Sequence, residues 1–207
     1  MSSPLPPPGA RLMLVFTLTP ALRPDAAAAA VRAGDVAAVV LRMPEGAPDI
    51  AHLRAVAEAI QTHDAAVLVD GPATLAAAAG LDGVHVSDLR GLDAALRALK
   101  PQAIVGAGGI TTRHDAMEAG EGGADYVFFG ALEPPAAASA ETLDLVNWWA
   151  EVFEVPCVGL AATLDEAEAL AGAGADFVAL AEVLVAEGGP ATVTAAMDRL
   201  TSMDAQP

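Results

Sequence analysis

Short apolar runs recur along the chain, and each is followed by an alanine-rich segment with helical spacing. Four of these runs open in a similar way, with a glycine and then an aspartate ahead of the apolar residues. The four aspartates are Asp35, Asp82, Asp125 and Asp176, so their separations are 47, 43 and 51 residues. A recurrence of this size indicates a fold that is built from repeated units.

The repeat is too long for one strand and one helix, and it fits two such pairs. The intervening strands are predicted at residues 12–18, 65–69, 103–106 and 156–160. Together with the repeat strands they give eight apolar runs that alternate with helices. This alternation predicts an α/β fold, a (β/α)8 TIM barrel in a single domain. An open doubly wound sheet is the alternative, but it would not require the register to recur four times.

Glycines and prolines predict where the elements begin and end. The glycine of each repeat is predicted to stop the preceding helix in the left-handed conformation. Helix 1 is predicted over residues 20–33, with Thr19 as its N-cap and Pro20 at its first position. Strand 5 is predicted to lead into a glycine-rich turn at residues 106–112, and residues 188–190 are predicted to open the last helix.

Composition and charge narrow the class of protein. The barrel is predicted over residues 11–203, after a disordered leader at 1–10 and before a tail at 204–207. A single cysteine, Cys157, excludes an intramolecular disulfide and favours a reducing, cytoplasmic location. The net charge of −17 disfavours nucleic acid and anionic membrane surfaces as partners. No run of residues is apolar for long enough to span a membrane, and the first residues do not form a signal peptide.

Three carboxylates are predicted to follow strands 3, 4 and 6, namely Asp70, Asp88 and Glu133. Active sites of this fold lie where strands end and the following loops begin. Carboxylates that converge there suit Mg²⁺, which often binds through one or two carboxylates and substrate phosphates. The alternative for Asp70 and Asp88 is a structural role in a turn or as an N-cap.

Two features are candidates for binding a phosphorylated small molecule. The glycine-rich segment with Gly108, Gly109 and Thr111 precedes a helix, so free backbone N–H groups there suit an anion; a tight loop with a threonine cap is the alternative. Arg42 is the only basic residue predicted at a strand end, where a guanidinium suits phosphate or carboxylate. Its alternative role is an ion pair with an acid such as Asp70.

Three further residue types bear on function. His85 lies within an alternating strand, which favours a hydrogen-bonded core histidine over a substrate contact. Trp148 and Trp149 cannot both point to one face of a helix, so one ring is expected inside and the other exposed or covered by a partner. Homodimerisation through helix 6 is the hypothesis for such a partner. Lys100 is the only lysine, and because it precedes strand 5 it excludes a Schiff-base aldolase mechanism.

The segments at residues 82–86 and 123–127, together with Gly130 and the overall spacing, resemble thiamine phosphate synthase and its TenI-like relatives. The resemblance extends from Leu12 to about Leu200. It implies a (β/α)8 barrel that joins a pyrimidine diphosphate to a thiazole phosphate, releases pyrophosphate and uses Mg²⁺. It also implies a place in thiamine biosynthesis.

The chain departs from the family pattern at several site positions. After strand 2 the family carries Gln-x-Arg-x-Lys, and only Arg42 matches it. After strand 3 the family carries Asn-Asp, with the acid on the metal, whereas this chain offers Asp70 one position earlier. The second metal position after strand 4 is occupied by Arg90, so Asp88 is the candidate substitute. Gly108 stands where the family has serine.

Two phosphate-binding segments implied by the resemblance are also altered. A Thr/Lys-rich loop after strand 6 is replaced by a segment with Glu133, and a Gly-Gly-Ile turn after strand 7 by residues 161–163. Both changes remove groups that neutralise a departing diphosphate. The predicted function is therefore that of a thiamine phosphate synthase-like protein with a diverged site. The alternatives are a non-catalytic relative that binds a small ligand or a protein partner, and a barrel enzyme for another phosphorylated metabolite.

Overall fold

A computed structural model describes residues 9–43, 49–132 and 140–204 of the protein. Eight parallel strands form a closed barrel in which each strand pairs with its neighbours in sequence and β8 returns to β1. The strands are β1 (Arg11–Thr17), β2 (Val36–Arg42), β3 (Ala66–Asp70), β4 (Gly83–Val86), β5 (Ile104–Ile110), β6 (Tyr126–Phe129), β7 (Cys157–Ala161) and β8 (Phe177–Leu180). The predicted (β/α)8 barrel is confirmed.

A helix follows every strand and covers the outside of the barrel. The helices are α1 (Pro24–Val31), α2 (Ile50–Gln61), α3 (Ala73–Ala79), α4 (Leu92–Leu99), α5 (Arg113–Glu121), α6 (Ala140–Val152), α7 (Leu164–Gly172) and α8 (Glu182–Asp204). No helix in these ranges is long and apolar enough to cross a membrane. The predicted leader falls mostly on residues 1–8, which lie outside the described ranges, as do residues 205–207 of the predicted tail.

Alternation along the strands divides the apolar side chains between two cores. One core lies between the strands and the helices. The other fills the barrel interior, with Val15, Val40, Leu68, Phe128 and Leu160 among its members. Because the interior is packed with side chains, a ligand site is confined to the mouth at the carboxyl ends of the strands.

Three repeat aspartates fasten the amino ends of the strands. The carboxylate of Asp82 accepts the N–H of Val67 at 2.7 Å. In the same way, Asp125 and Asp176 accept the N–H groups of Val105 and Cys157 near the amino ends of the preceding strands, at 2.7 and 2.8 Å. Asp35 differs, because it pairs with exposed Arg11 at 2.8 Å. The repeat that dominates the sequence therefore stabilises the end of the barrel opposite the mouth.

The predicted glycine stop is confirmed at three of the four repeats. Gly80, Gly123 and Gly174 have positive φ angles of 71°, 99° and 94°. Gly34 is not left-handed, and the prediction is wrong there. A side chain at this position would lie 3.2 Å from Val193 Cγ1, so close packing against α8 accounts for this glycine.

Helix 1 was placed too early by the sequence pattern. It begins at Pro24 and not at Pro20, because Leu22 N–H bonds to Thr19 C=O in a turn and Arg23 is extended (φ −80°, ψ 141°). A residue before proline is disfavoured in the helical region, which fixes the boundary at Arg23. Thr19 is therefore a turn residue and not an N-cap.

The glycine-rich segment after β5 is strand for most of its length. Strand β5 continues to Ile110, with a register shift against β6 between Ala107 and Ile110 and a positive φ of 66° at Gly109. The prediction of a turn from residue 106 is therefore wrong. A strand rich in glycine leaves open space for side chains from its neighbours, and β4 and β6 use it, as described below.

The last helix begins at Glu182, whereas the sequence predicted that residues 188–190 open it; the glycine–proline segment is a break inside the helix. Gly189 has non-helical angles (φ 58°, ψ −147°) inside α8, and Pro190 opens the segment that follows.

On α6, Trp149 is buried and Trp148 is half-buried. The Trp148 ring packs against Phe153 and lies 4.8 Å beneath the guanidinium of Arg113. A contact within the chain thus covers this ring, and the homodimer through α6 stays a prediction.

Candidate functional site at the barrel mouth

The strand register brings the candidate residues of four strands side by side at the mouth. Thr17 pairs with Arg42, Arg42 with Asp70, and Asp70 with His85 in the parallel ladder. His85 pairs in turn with Gly106, and Gly106 with Tyr126, which lines the barrel interior. Residues in register on neighbouring strands point to the same face. Arg42, Asp70 and His85, singled out in the sequence, therefore form one row that faces inward.

Arg42 is held by a hydrogen bond that the sequence did not reveal. Its Nη1 donates to Thr17 Oγ1 at 3.3 Å. The Thr17 hydroxyl donates to Glu182 Oε2 at 2.5 Å, and the Thr17 backbone N–H donates to Glu182 Oε1 at 3.0 Å. The guanidinium thus sits two hydrogen bonds away from a carboxylate, which places charges of opposite sign at the junction of β1, β2 and β8.

Asp70 ends β3 and is partly buried. It borders a cavity of about 420 Å³ over the ends of β2 and β3, which Met43, Pro72 and Leu75 also line. The lining of this cavity is mainly apolar, and Asp70 supplies a carboxylate at its inner edge. A flat organic ring with a hydrogen-bond-donating or metal-bound group toward Asp70 fits this chemistry.

Asp88 is engaged by its neighbour. Its carboxylate accepts hydrogen bonds from the Arg90 side chain at 2.8 and 3.1 Å and from the Arg90 backbone N–H at 3.1 Å. Both side chains are exposed, and the bonds to Arg90 hold the pKa of the Asp88 carboxyl below its usual value. Asp88 therefore caps the short turn Leu89–Gly91, which was the structural alternative.

The side chains at the mouth show whether the protein could hold Mg²⁺. Within residues 9–43, 49–132 and 140–204, no three His, Cys, Asp or Glu side chains are grouped to hold a metal ion. Asp70 supplies one hard carboxylate at the mouth, and Asp88 is paired with Arg90. Such a set fits an ion that is completed by substrate phosphates better than one held by protein ligands alone. Glu133 lies outside the described residues.

His85 is a core histidine that is satisfied at only one nitrogen. Its Nδ1 lies 2.9 Å from the Tyr126 hydroxyl, and its Nε2 is buried without a hydrogen-bond partner among the described residues. Burial lowers the pKa of His85 to about 3, so the ring is neutral at physiological pH. Burial, with the nearby charge of Asp70 as a smaller contribution, raises the pKa of Tyr126 above its usual value, so the phenol keeps its proton.

The predicted anion turn is split between two environments. Gly108 is buried against His85, where a side chain at residue 108 would approach Nε2 to 2.3 Å. Gly109 and Thr111 are exposed and border a cavity of about 220 Å³ over the ends of β5 and β6. Thr112, not Thr111, caps α5 through a hydrogen bond from Asp115 N–H at 3.1 Å. Gly109 and Thr111 therefore remain accessible to a ligand.

Two glutamates of the chain accept hydrogen bonds from backbone N–H groups at the ends of β7 and β1. Glu166 accepts the N–H groups of Ala162 at 2.7 Å and Thr163 at 3.2 Å, and it forms a capping box with Thr163. Glu182 accepts the N–H of Thr17. Loops after strands 7 and 8 often bind phosphate in this fold. The spacing from Thr163 to Glu166 is a recognisable capping-box signal, whereas the contact from Glu182 to β1 depends on barrel closure and has no local signature.

A closed (β/α)8 barrel with a row of polar side chains at the carboxyl ends of its strands defines a class of protein, the TIM-barrel proteins with a ligand site at the mouth. The family model described as thiamine monophosphate synthase (TMP-TENI) matches residues 15–184. The thiamine-phosphate synthase of Rhodospirillum centenum is 42% identical over 200 residues, which cover 90% of this chain and 96% of the relative. That of Hyphomonas neptunium is 37% identical over 180 residues, 81% of either chain.

Solved structures agree on the fold. The thiamine phosphate pyrophosphorylase from Pyrococcus furiosus superposes with a TM-score of 0.73 and 21% identity, over 93% of this chain and 96% of that one. The (S)-3-O-geranylgeranylglyceryl phosphate synthase from Thermoplasma acidophilum superposes with a TM-score of 0.68 and 17% identity, over 94% of each. From the family match and the relatives above, this chain belongs to the thiamine phosphate synthase/TenI family, as the resemblance predicted.

Proposed function

We propose that this chain joins hydroxymethylpyrimidine diphosphate to thiazole phosphate and releases pyrophosphate. The observation that carries the proposal is the 42% identity to a thiamine-phosphate synthase over 96% of that relative's length. In this reaction the bond between the pyrimidine methylene carbon and the diphosphate oxygen breaks, and pyrophosphate leaves with the electron pair. The thiazole ring nitrogen forms a new C–N bond to the same carbon.

Arg42 and Asp70 have complementary roles in this proposal. Arg42 is a permanent cation at the mouth, fixed through Thr17, and it would bind an oxygen of the departing pyrophosphate. Asp70 lies next to it in the ladder and would hold Mg²⁺ together with the diphosphate. Bound Mg²⁺ supplies positive charge against the leaving group. Asp88 is a second metal ligand in the proposal only if its carboxylate leaves Arg90.

The two exposed residues of the β5 segment would bind the second phosphate. Gly109 and Thr111 border the cavity between β5 and β6, and α5 begins directly behind them at Arg113. A helix amino end and a hydroxyl suit a phosphate group. The donors at the ends of β7 and β1 are already taken by Glu166 and Glu182, which supports phosphate binding on the β5 side of the mouth. The reactants are then small phosphorylated molecules, in keeping with a cytoplasmic enzyme.

The two glutamates also favour a second candidate function. A mouth in which carboxylates fill the usual phosphate donors suits a family member that binds a small ligand without transferring it. Retention of Arg42 and Asp70 side by side would then serve binding alone. The two candidates differ in one observable, which is formation of thiamine phosphate.

The test is a coupled measurement of thiamine phosphate and pyrophosphate from the two precursors, with and without Mg²⁺. The proposal expects Mg²⁺-dependent formation of both products in equal amounts. Arg42→Ala and Asp70→Ala should each lower kcat/KM by at least about a hundredfold, the scale seen when a charge-stabilising group is removed. Arg97→Ala is the matched control, because Arg97 pairs with Asp93 on the outer face of α4.

Each contrary result has a defined meaning. Binding of both precursors without any product would support the non-catalytic candidate and reject the transferase. Full activity in both Arg42→Ala and Asp70→Ala would keep the reaction but reject these site residues.

A further inference from the structure

The histidine–tyrosine pair inside the mouth spans a strand that offers no side chain of its own. His85 on β4 and Tyr126 on β6 meet across β5, where both inward-facing positions beneath them are glycine. A side chain at Gly106 would lie 1.9 Å from Tyr126 Cζ, and one at Gly108 would lie 2.3 Å from His85 Nε2. The glycines therefore make room for this pair, and the rings lie 5.9 Å apart with an interplanar angle of 24°.

Hydrogen-bond accounting assigns the proton on His85. A neutral imidazole carries one N–H and one acceptor nitrogen, and a phenol has one O–H to donate. Among the described residues, the hydrogen-bond partner of the Tyr126 hydroxyl is His85 Nδ1. If the phenol donates to Nδ1, only the Nε2–H group is left without a partner. If Nδ1 were the donor, both the phenol hydrogen and Nε2 would lack one, and buried polar groups without partners are rare and costly.

The Nε2–H group of His85, which has no partner among the described residues, points toward the mouth. Nδ1 reaches Tyr126, the register neighbour of Gly106, whereas Nε2 lies at Gly108, two residues nearer to the carboxyl end of β5. His85 is 1% exposed, so bulk water does not serve this nitrogen. Asp70 and Arg42 continue the same row on β3 and β2. A ligand seated over this row would bring an acceptor atom to Nε2–H.

The surroundings decide the kind of acceptor. The edge of Phe128 packs against the His85 ring at 5.0 Å, and the Tyr126 ring stacks on it. These neighbours are apolar, and the cation of the row is two strands away on β2. A phosphate oxygen placed here would lack a counter-charge, which is costly in a buried setting. A ring nitrogen of a neutral heterocycle has no such requirement.

We propose that Tyr126 is a positioning residue that fixes His85 in the tautomer with hydrogen on Nε2, and that this N–H group binds a ring-nitrogen acceptor of the pyrimidine substrate. The identity of the substrate rests on the proposed function. The tautomer does not, because it is a property of the unliganded protein.

The test is ¹⁵N NMR of the full chain with labelled histidine. Of the four histidines, His85 is assigned by the signals lost in His85→Gln. At neutral pH without ligand, the expected result is a protonated Nε2 and an unprotonated Nδ1. Addition of hydroxymethylpyrimidine diphosphate should shift the Nε2 signal, whereas pyrophosphate alone should leave it in place. Hydrogen on Nδ1 in the free protein, or an equal shift with pyrophosphate alone, would overturn the proposal.

Two variants separate positioning from simple packing. Tyr126→Phe keeps the ring and removes the donor, so His85 should become a mixture of tautomers and pyrimidine affinity should fall by about five- to tenfold, the value of one hydrogen bond. Pyrophosphate affinity should not change. His85→Gln can place an N–H near Nε2, so it should bind the pyrimidine more tightly than His85→Phe. An unaltered tautomer in a folded Tyr126→Phe would contradict the role of Tyr126.

Failure of the proposed function gives a different pattern. If calorimetry detects no binding of the pyrimidine diphosphate to the wild-type protein, the proposed function and the ligand part of the inference are both wrong. If the ligand binds and reacts but His85 carries its hydrogen on Nδ1, the function stands and the inference falls.

Discussion

Glu182 at the start of α8 accepts both the backbone N–H and the hydroxyl of Thr17, at 3.0 and 2.5 Å, and so closes the seam between the last and the first strand at the mouth. A carboxylate in this position opposes the approach of anions. In Glu182→Gln the charge is lost while one oxygen acceptor remains, so pyrophosphate should bind several-fold more tightly by calorimetry.

The matched control for this charge effect is Glu121→Gln. Glu121 is exposed at the carboxyl end of α5, on the opposite end of the barrel. The same gain in affinity in both variants would show that net charge, and not the position of Glu182, governs anion binding.

The aspartates of the repeat should differ in their contribution to stability. Asp176→Ala leaves the backbone N–H of Cys157 without its acceptor and should lower the free energy of unfolding by about 1–3 kcal/mol. Asp35→Ala removes only an exposed ion pair with Arg11 and should cost less than about 1 kcal/mol. Urea unfolding of both variants measures the difference, and equal losses would refute the assignment of roles.

Glycine in β5 should tolerate no side chain. In Gly106→Ala the new methyl group would overlap the Tyr126 ring, and overpacking of this kind destabilises by about 1–3 kcal/mol or more. Gly91→Ala is the control, since its nearest neighbour would be Val86 Cγ1 at an ordinary 3.6 Å. Thermal unfolding should show a clear loss for the first variant and a small change for the second.

The pairing of Asp88 with Arg90 gives a direct test of metal binding. Arg90→Ala releases the Asp88 carboxylate from its partner. If Asp88 joins Asp70 in holding Mg²⁺ with the diphosphate, the Mg²⁺ concentration for half-maximal activity should fall several-fold. An unchanged Mg²⁺ dependence, with Asp88→Ala equally silent, would limit the metal site to Asp70 and substrate.

His85 should make the protein sensitive to acid. Its folded pKa of about 3 lies below the ordinary value of 6.5, so between these values the unfolded chain binds a proton that the folded chain does not. Its contribution to stability is therefore complete above about pH 6.5 and falls as the pH drops toward 3. The urea midpoint of the wild type should fall more steeply over this range than that of His85→Gln, with Asp70 and the other carboxylates common to both.

The barrel could be predicted from the sequence because the glycine–aspartate–apolar segment recurs four times along the chain. Three of the four aspartates bond to the backbone near the amino end of the preceding strand, so their position relative to the strands recurs along the chain. Helix 1 was misplaced because proline is favoured at the first helical position and Pro20 was assigned to it, whereas the turn closed by the Leu22 N–H delays the helix to Pro24. Strand β5 was cut short because glycine is typical of turns, while here it makes space for neighbouring rings.

The site was predictable in part, for a related reason. The position of Arg42 and Asp70 at strand ends could be predicted because a strand end is visible in the pattern, and the register places the two residues side by side. Glu182 and Tyr126 were missed as site residues, because their roles depend on strands that are distant in the sequence and meet only when the barrel closes. The different surroundings of the two His85 ring nitrogens could not be inferred from the alternation of apolar and polar residues. Alternation gives the direction of a side chain but not its partners.

The open space above β5 links positions that belong to three different strands. Residues 106 and 126 share one volume, and residues 108 and 85 share another. A larger residue at position 106 would therefore need a smaller one at position 126 at the same time. Across evolutionary time these two positions should change as a pair, so that a relative with serine or alanine at position 106 is expected to carry a smaller residue at position 126.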